Sequence, residues 1–215
     1  MTSANTDIHV VLLGDSIFDN ASYVPGGPAV VQQLNDRLPH GSRATLVAVD
    51  GAVVNSVERQ ISRIPRDATH LVISAGGNDA LGASGVLGLG AASVGDAVGK
   101  LADIVEGFAE DYNRMLDGVL ARQLPTAVCT IYDANYAEPA RRIVVTALGL
   151  FNDVITRAAF GRGLPLIDLR LICNEPDDYA NPIEPSVQGG AKIVSAISSL
   201  AEIEPWNGHS IVISG

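Results

Sequence analysis

Short apolar runs alternate along the chain with longer stretches in which apolar residues recur every three or four positions. The runs predict strands buried on both faces at 8–13, 45–49, 69–75, 126–131 and 164–169. The helical spacing predicts helices at 26–38, 54–64, 96–123, 139–160 and 187–203. This alternation favours a three-layer α/β/α sandwich around a doubly wound, five-stranded parallel sheet with the flavodoxin-like order 2-1-3-4-5. We predict a single domain over residues 7–215, with a short extra strand or a packed terminus at 210–214.

The first apolar run ends in Gly14-Asp15-Ser16, which places a hydroxyl at the carboxyl end of a buried strand. Ligands of open α/β sheets bind at this edge, where loops face a crevice and backbone N–H groups are available. Ser16 is therefore a candidate nucleophile whose own N–H is a candidate oxyanion donor. Taken alone, the tripeptide is more typical of a turn or a helix entrance than of a nucleophile.

Two further strands end in small or polar residues at the same predicted edge. The second strand closes on Asp50-Gly51, and the third ends in Gly76-Gly77-Asn78-Asp79. An amide beside a serine hydroxyl suits acyl transfer, because the amide can donate a hydrogen bond to the oxyanion of a tetrahedral intermediate.

These three blocks, in this order and spacing, resemble the first signature blocks of the SGNH/GDSL hydrolase family. The resemblance implies a serine esterase or acylhydrolase without cofactor or metal. It implies Ser16 as the nucleophile, and an oxyanion hole formed by the N–H groups of Ser16 and Gly51 and the amide of Asn78. Asp15 and Asp79 lie within the blocks and are candidate supporting residues.

The fourth family block, Asp-x-x-His before the last helix, is altered in this sequence. Aligned on the following proline and helix, Asn181 stands where the family has Asp, and Glu184 stands where it has His. Asp178 lies just upstream and is a further candidate for a supporting role.

The four histidines are poor substitutes for the missing base. His9 and His70 open predicted strands and His40 precedes one, so all three are expected about 20 Å from Ser16, at the opposite edge of the sheet. His209 follows the last helix, which runs away from the catalytic edge.

Two interpretations of Glu184 remain open. As a base, the carboxyl would need burial to raise its pKa from the ordinary value of about 4.3 toward neutrality. Alternatively, Glu184 is a helix-entry carboxylate placed favourably near the helix dipole, with no catalytic task.

Between residues 80 and 95 the chain is rich in Gly, Ala, Ser and Leu and carries no charge. We expect a long loop, either a mobile apolar wall for an acyl group or a contact between subunits. Residues 132–136, after the fourth strand, are candidates for shaping the substrate pocket.

The composition of the chain limits the classes of partner that the protein is expected to bind. The formal net charge of −10 argues against nucleic acids and anionic membranes as partners attracted at long range. Before strand one the residues are polar, no apolar run reaches the ~18 residues of a membrane span, and both cysteines are expected to be buried thiols. The sequence thus predicts a cytoplasmic protein without a membrane span, acting on a small ester or acylated substrate and with its oligomeric state open.

Two functions compete for this sequence. The first is a serine esterase that hydrolyses a small ester, with Ser16 as nucleophile and Glu184 as a non-standard base. The alternative is a catalytically impaired protein of the same fold that binds an acyl or carbohydrate ligand. Phosphate chemistry ranks third, because the chain has neither a lysine-bearing phosphate loop nor a metal-ligand pattern.

Overall fold

A parallel sheet forms the centre of the molecule. The structure is a computed structural model that describes residues 7–201, 206 and 210–214. Six strands pair in the order β2-β1-β3-β4-β5-β8, and every pairing is parallel. Their bounds are β1 His9–Gly14, β2 Arg43–Leu46, β3 His70–Ser74, β4 Thr126–Cys129, β5 Leu166–Ile167 and β8 Val212–Ile213. The predicted order of the first five strands is confirmed, and the chain terminus adds the sixth.

Helices cover both faces of this sheet. Strand β1 shows why, since Val10 and Leu12 pack into one apolar cluster while Val11 and Leu13 pack into the other. The helices are α1 Val30–Arg37, α2 Val57–Ile61, α3 Gly77–Ala83, α4 Val94–Leu120, α5 Ala140–Gly161, α6 Leu169–Ile172 and α7 Val187–Ala201. The first cluster includes residues of α1, α6 and α7, and the second includes residues of α2, α4 and α5.

Several element boundaries differ from the sequence-based expectation. β2 and β5 are shorter than predicted, although Val47 and Ala48 still donate hydrogen bonds to the Leu12 carbonyl beyond the end of β2. The helix predicted at 54–64 is a 3-10 turn, Val54–Ser56, followed by the short α2. For the strands, an apolar run in the sequence is therefore longer than the regular pairing that it forms.

The loop prediction for residues 80–95 is wrong over much of that segment. Helix α3 continues to Ala83, and a 3-10 helix spans Ser84–Gly88. The extended chain resumes after Leu89, and Ser93 caps α4 by accepting a hydrogen bond from the Asp96 N–H at 3.0 Å. Glycine is a poor helix former, so the sequence of this segment favours a loop. Ala80 and Ala83 nevertheless pack against the second apolar cluster, and this packing offsets the cost of the glycines.

Helix α5 is long and apolar enough to cross a membrane, judged by length and composition alone, with a mean hydropathy of 1.5. The core helix of a globular protein passes the same test. Here Phe151, Ile155 and Ala159 of α5 are buried in the cluster shared with α4 and the sheet.

An antiparallel ribbon carries the last part of the site. Strands β6, Tyr179–Asn181, and β7, Glu184–Pro185, pair across a tight turn just before α7. Gly189 in the first turn of α7 permits a close approach, because a Cβ there would lie 2.2 Å from the Asp178 carbonyl oxygen. The ribbon is thereby set directly against the start of α7.

Candidate active site

Ser16 lies directly after β1 because Gly14 allows the chain to turn against β3. Gly14 has a φ of +120°, and a Cβ at this position would lie 1.7 Å from the Ser74 carbonyl oxygen. The Asp15 N–H donates to that same carbonyl at 3.1 Å. Any side chain at position 14 would therefore displace the turn that presents Ser16.

A buried glutamine stabilises the same turn. The Gln60 side chain accepts from the Gly14 N–H at 2.7 Å and donates to the Gly14 carbonyl at 2.8 Å. Gln60 lies in α2 and is 2% exposed. Sequence reasoning missed this residue, since a glutamine within a short helix pattern carries no signal of such a role.

Glu184 faces the candidate nucleophile. The Ser16 hydroxyl donates a hydrogen bond of 3.0 Å to Glu184 Oε1, between residues 168 positions apart in sequence. Both residues are buried, at 7% and 6% exposure. The second carboxyl oxygen, Oε2, is buried and has no hydrogen-bond partner among the described residues.

Burial is the main reason why the pKa of Glu184 rises from 4.5 to about 7, opposed by the hydrogen bond from Ser16 and assisted by the charge of Asp50. Burial also raises the pKa of Asp15 to about 7, assisted by the neighbouring charges of Glu184 and Asp79. The site is therefore poor in counter-charges, and a carboxyl with a pKa near 7 is matched to proton transfer at neutral pH.

Two backbone N–H groups, which follow the ends of β1 and β2, are available to bind an anion. Within the described residues, the N–H groups of Ser16 and Gly51 have no protein acceptor. Gly51 has a φ of +75°, in the left-handed region that glycine adopts readily. Asn78 Nδ2 donates to the Ala52 carbonyl at 3.1 Å, which leaves its second hydrogen available.

The other candidate residues have different partners. Asp79 accepts from the Val54 N–H at 3.0 Å, and Asp15 accepts from the Ile17 N–H at 3.2 Å. Asn181 is exposed, and its side-chain oxygen accepts from the Ile183 N–H at 2.9 Å; its side chain makes no hydrogen bond to the Glu184 carboxyl.

Asp178 stabilises the start of α7 and not the Ser16 site. It is fully buried, accepts from Lys192 Nζ at 2.7 Å, and also accepts from the backbone N–H groups of Asn174 and Glu175. Burial opposes ionisation of this carboxyl, but the hydrogen bond from Lys192 and the backbone hydrogen bonds hold its pKa below the ordinary value. Asp178 thus fixes the loop before β6.

Backbone contacts on both sides hold Glu184 in place. The Tyr132 hydroxyl donates to the Ile183 carbonyl at 2.6 Å, and the Asn135 N–H donates to the Pro182 carbonyl at 2.8 Å. On the other side, Asn20 Nδ2 lies 3.5 Å from the Pro185 carbonyl oxygen. Sequence analysis placed Tyr132 at the pocket edge but gave no sign of its contact with the segment that carries Glu184.

The three histidines among the described residues lie away from this site. His9 and His70 are buried at the starts of β1 and β3, and His9 Nε2 lies 2.7 Å from Thr45 Oγ1. His40 is exposed after α1. The prediction for His209 lies outside the described residues.

A cavity of about 380 Å³ opens beside Ser16, Asn78 and Glu184. Its walls come from α3 and the following 3-10 helix, from α4 and from α5, and they are mainly apolar. Residues 132, 134 and 136 contribute to one side. Apolar lining side chains include Leu81, Val86, Leu87, Leu101, Val105 and Phe151. Among the described residues, no group of three or more His, Cys, Asp or Glu side chains is arranged to hold a metal ion.

A parallel sheet that brings a serine, an asparagine amide and free N–H groups to the carboxyl ends of its strands defines the class of SGNH-type hydrolases. Residues 12–191 match the family model described as the GDSL-like lipase/acylhydrolase family, and the chain belongs to this family. No curated protein matches the chain at the threshold of significance used for these comparisons.

Solved structures share the fold at low sequence identity. An extracellular lipase from Streptomyces rimosus is 18% identical, with a TM-score of 0.63 over 89% of this chain and 99% of its own. Phospholipase A1 from Streptomyces albidoflavus is 16% identical, with a TM-score of 0.65 over 90% of this chain and 99% of its own. The esterase EstA from Pseudoalteromonas is 18% identical, with a TM-score of 0.61 over 91% of this chain and 98% of its own.

Proposed function

We propose that this protein is a serine esterase that hydrolyses acyl esters, with Ser16 as nucleophile and Glu184 as general base. The observation that carries the proposal is the hydrogen bond of 3.0 Å from the Ser16 hydroxyl to Glu184 Oε1. Both groups face a pocket whose apolar walls suit the acyl part of an ester. Family membership supports ester hydrolysis as the type of reaction.

In the first half-reaction, Ser16 Oγ attacks the ester carbonyl while its proton passes to Glu184 Oε1. The oxyanion that forms accepts hydrogen bonds from the N–H groups of Ser16 and Gly51 and from Asn78 Nδ2. As the tetrahedral intermediate collapses, the ester C–O bond breaks and Glu184 returns the proton to the departing alkoxide. The products of this step are an acyl-serine and an alcohol.

In the second half-reaction, a water molecule attacks the acyl-serine and gives its proton to Glu184. Collapse of the new intermediate releases the carboxylic acid and returns the proton to Ser16 Oγ. A carboxyl whose pKa is about 7 can accept and release this proton in each half-reaction at neutral pH.

Covalent labelling tests the role of Ser16 without a known substrate. A fluorophosphonate reacts with an activated serine, so we expect one adduct on the intact protein that peptide mapping assigns to Ser16. Ser16→Ala should abolish the adduct, whereas Ser74→Ala, which changes another pocket serine, should retain it. Absence of labelling, together with no turnover of p-nitrophenyl butyrate, would instead favour the ligand-binding protein of the same fold.

A further inference from the structure

Exposed apolar side chains are concentrated on the face of the molecule where the pocket opens. Val94 is 82% exposed, Leu89 63%, Val98 58% and Ile143 52%. Leu81, Leu87 and Leu150 are also exposed, and these three line the pocket itself. Contiguous apolar surface of this kind marks a contact with a partner or a lipid.

Two helix stripes run without interruption from the pocket to this face. On α4, Val94 and Val98 continue the row of Leu101 and Val105, which line the pocket. On α5, Ile143 stands one turn before Ala147 and two turns before Leu150, which also line it. Residues three and four apart share one helix face, so the pocket wall and the exposed surface are one apolar strip.

The charge of this face differs from that of the whole chain. Residues 80–102 and 140–150 contain one acidic residue, Asp96, and three basic residues, whereas the chain carries a net charge of −10. Asp96 is paired with Lys100 at 3.0 Å. Arg141 and Arg142 directly precede Ile143, are exposed, and have no ion-pair partner among the described residues.

We infer that this face, the apolar strip flanked by Arg141 and Arg142, docks the protein onto a phospholipid surface. The apolar side chains would enter the boundary between headgroups and acyl chains, and the two guanidinium groups would contact lipid phosphates. The overall negative charge favours a zwitterionic surface over an anionic one.

A second copy of the chain is a poorer occupant of this face. Leu81, Leu87 and Leu150 are both exposed and part of the pocket lining, so a copy seated there would cover the pocket mouth. A lipid surface covers the same residues and leaves acyl chains able to enter the pocket. This choice of occupant rests on the proposed function, whereas the experiment below measures binding alone.

Vesicle binding by the Ser16→Ala protein tests the inference without hydrolysis. We expect cosedimentation with phosphatidylcholine vesicles, weakened at least about tenfold in Val94→Glu/Val98→Glu because two apolar anchors become charged. Leu171→Glu and Phe160→Glu change other exposed apolar residues, away from the strip, and should bind like the parent protein. Arg141→Gln/Arg142→Gln should weaken binding less than Val94→Glu/Val98→Glu does, because a zwitterionic surface has no net negative potential and the two guanidinium groups contact only individual lipid phosphates.

Sedimentation equilibrium of the same proteins separates the two occupants. Failure to bind phosphatidylcholine, or equal loss of binding in the control variants, would overturn the inference. A dimer that dissociates in Val94→Glu/Val98→Glu, without vesicle binding by the parent protein, would make the face an interface between copies. Because Ser16→Ala cannot turn over substrate, none of these results depends on whether the protein is an esterase.

Discussion

Replacement of Glu184 by glutamine should lower activity and raise stability at the same time. Glutamine keeps the size of the side chain and can still accept the hydrogen bond from Ser16, but it cannot take a proton. Loss of a general base typically lowers the rate by about 10²–10⁴-fold, and we expect a fall in kcat of this order. A variant that merely unfolds would lose stability as well.

The gain in stability follows from the raised pKa. The pKa of Glu184 is 4.5 when unperturbed and about 7 in the folded protein, so the folded state binds the proton more tightly. Below pH 4.5 both states are protonated and the mutation should be neutral. Above pH 7 both are ionised, and the folded state carries the full penalty of a buried charge.

The size of the gain has an upper limit of about 3.5 kcal/mol, because the pKa rises from 4.5 to about 7 and each pKa unit corresponds to about 1.4 kcal/mol. Since Glu184 borders an open pocket that admits solvent, screening reduces this to about 1–2 kcal/mol. Urea unfolding of wild type and Glu184→Gln at pH 8 and at pH 4 measures this difference in the free energy of unfolding. Glu110→Gln, an exposed glutamate on α4, is the matched control and should change neither stability nor activity.

The pH profile completes the test. Because the base must be ionised, kcat/KM for p-nitrophenyl butyrate should rise with pH through a limb near pH 7 and then level off, and Glu184→Gln should lack that limb. Asp15→Asn should keep the limb but move it to lower pH, since a neighbouring negative charge is removed. Full activity in Glu184→Gln, or lower stability of that variant at pH 8, would refute this account of the base.

Three other substitutions test the supporting residues. Tyr132→Phe should lower kcat about tenfold with little change in KM, because the Ile183 carbonyl loses its hydrogen bond, whereas Tyr179→Phe should behave as wild type in steady-state kinetics. Asn78→Ala should lower kcat about 10²–10³-fold if its amide binds the oxyanion, with only a small loss of Tm from the hydrogen bond to the Ala52 carbonyl. Gln60→Leu should destabilise the protein by about 1–3 kcal/mol in urea unfolding, because the buried N–H of Gly14 loses its partner, while the Gly14 carbonyl keeps the hydrogen bond from the Val49 N–H; unchanged stability would contradict that role.

The sheet was predictable because its strands are encoded locally. Runs such as 8–13 and 69–75 are apolar throughout, and alternation with helical spacing leaves few topologies to consider. The boundaries were less predictable. At β2, apolar residues continue past the last paired residue, and at β5 the predicted run begins two residues before the first paired residue, so hydrophobicity does not mark the limits of pairing.

The residues at the carboxyl ends of β1 and β3 could also be predicted from the sequence, since glycine followed by small polar residues is a strong local signal. The contact between Ser16 and Glu184 was inferred through an aligned block and not from any local pattern, as the two lie 168 positions apart. Gln60, Asn20 and Tyr132 could not be found this way. Each supports the site by binding a backbone group of a distant segment, and such a contact leaves no trace in spacing or composition.

The exposed position of Asn181 determines whether a histidine at position 184 could act as the base. An imidazole must be held in one tautomer and one ring orientation, usually by an acceptor on its second nitrogen. A carboxylate has two chemically equivalent oxygens and no tautomers, so it needs no such third group. The side-chain oxygen of Asn181 already accepts a hydrogen bond from the Ile183 N–H, so Glu184→His alone would create an imidazole without an orienting acceptor. A working triad would require a second, simultaneous replacement at position 181.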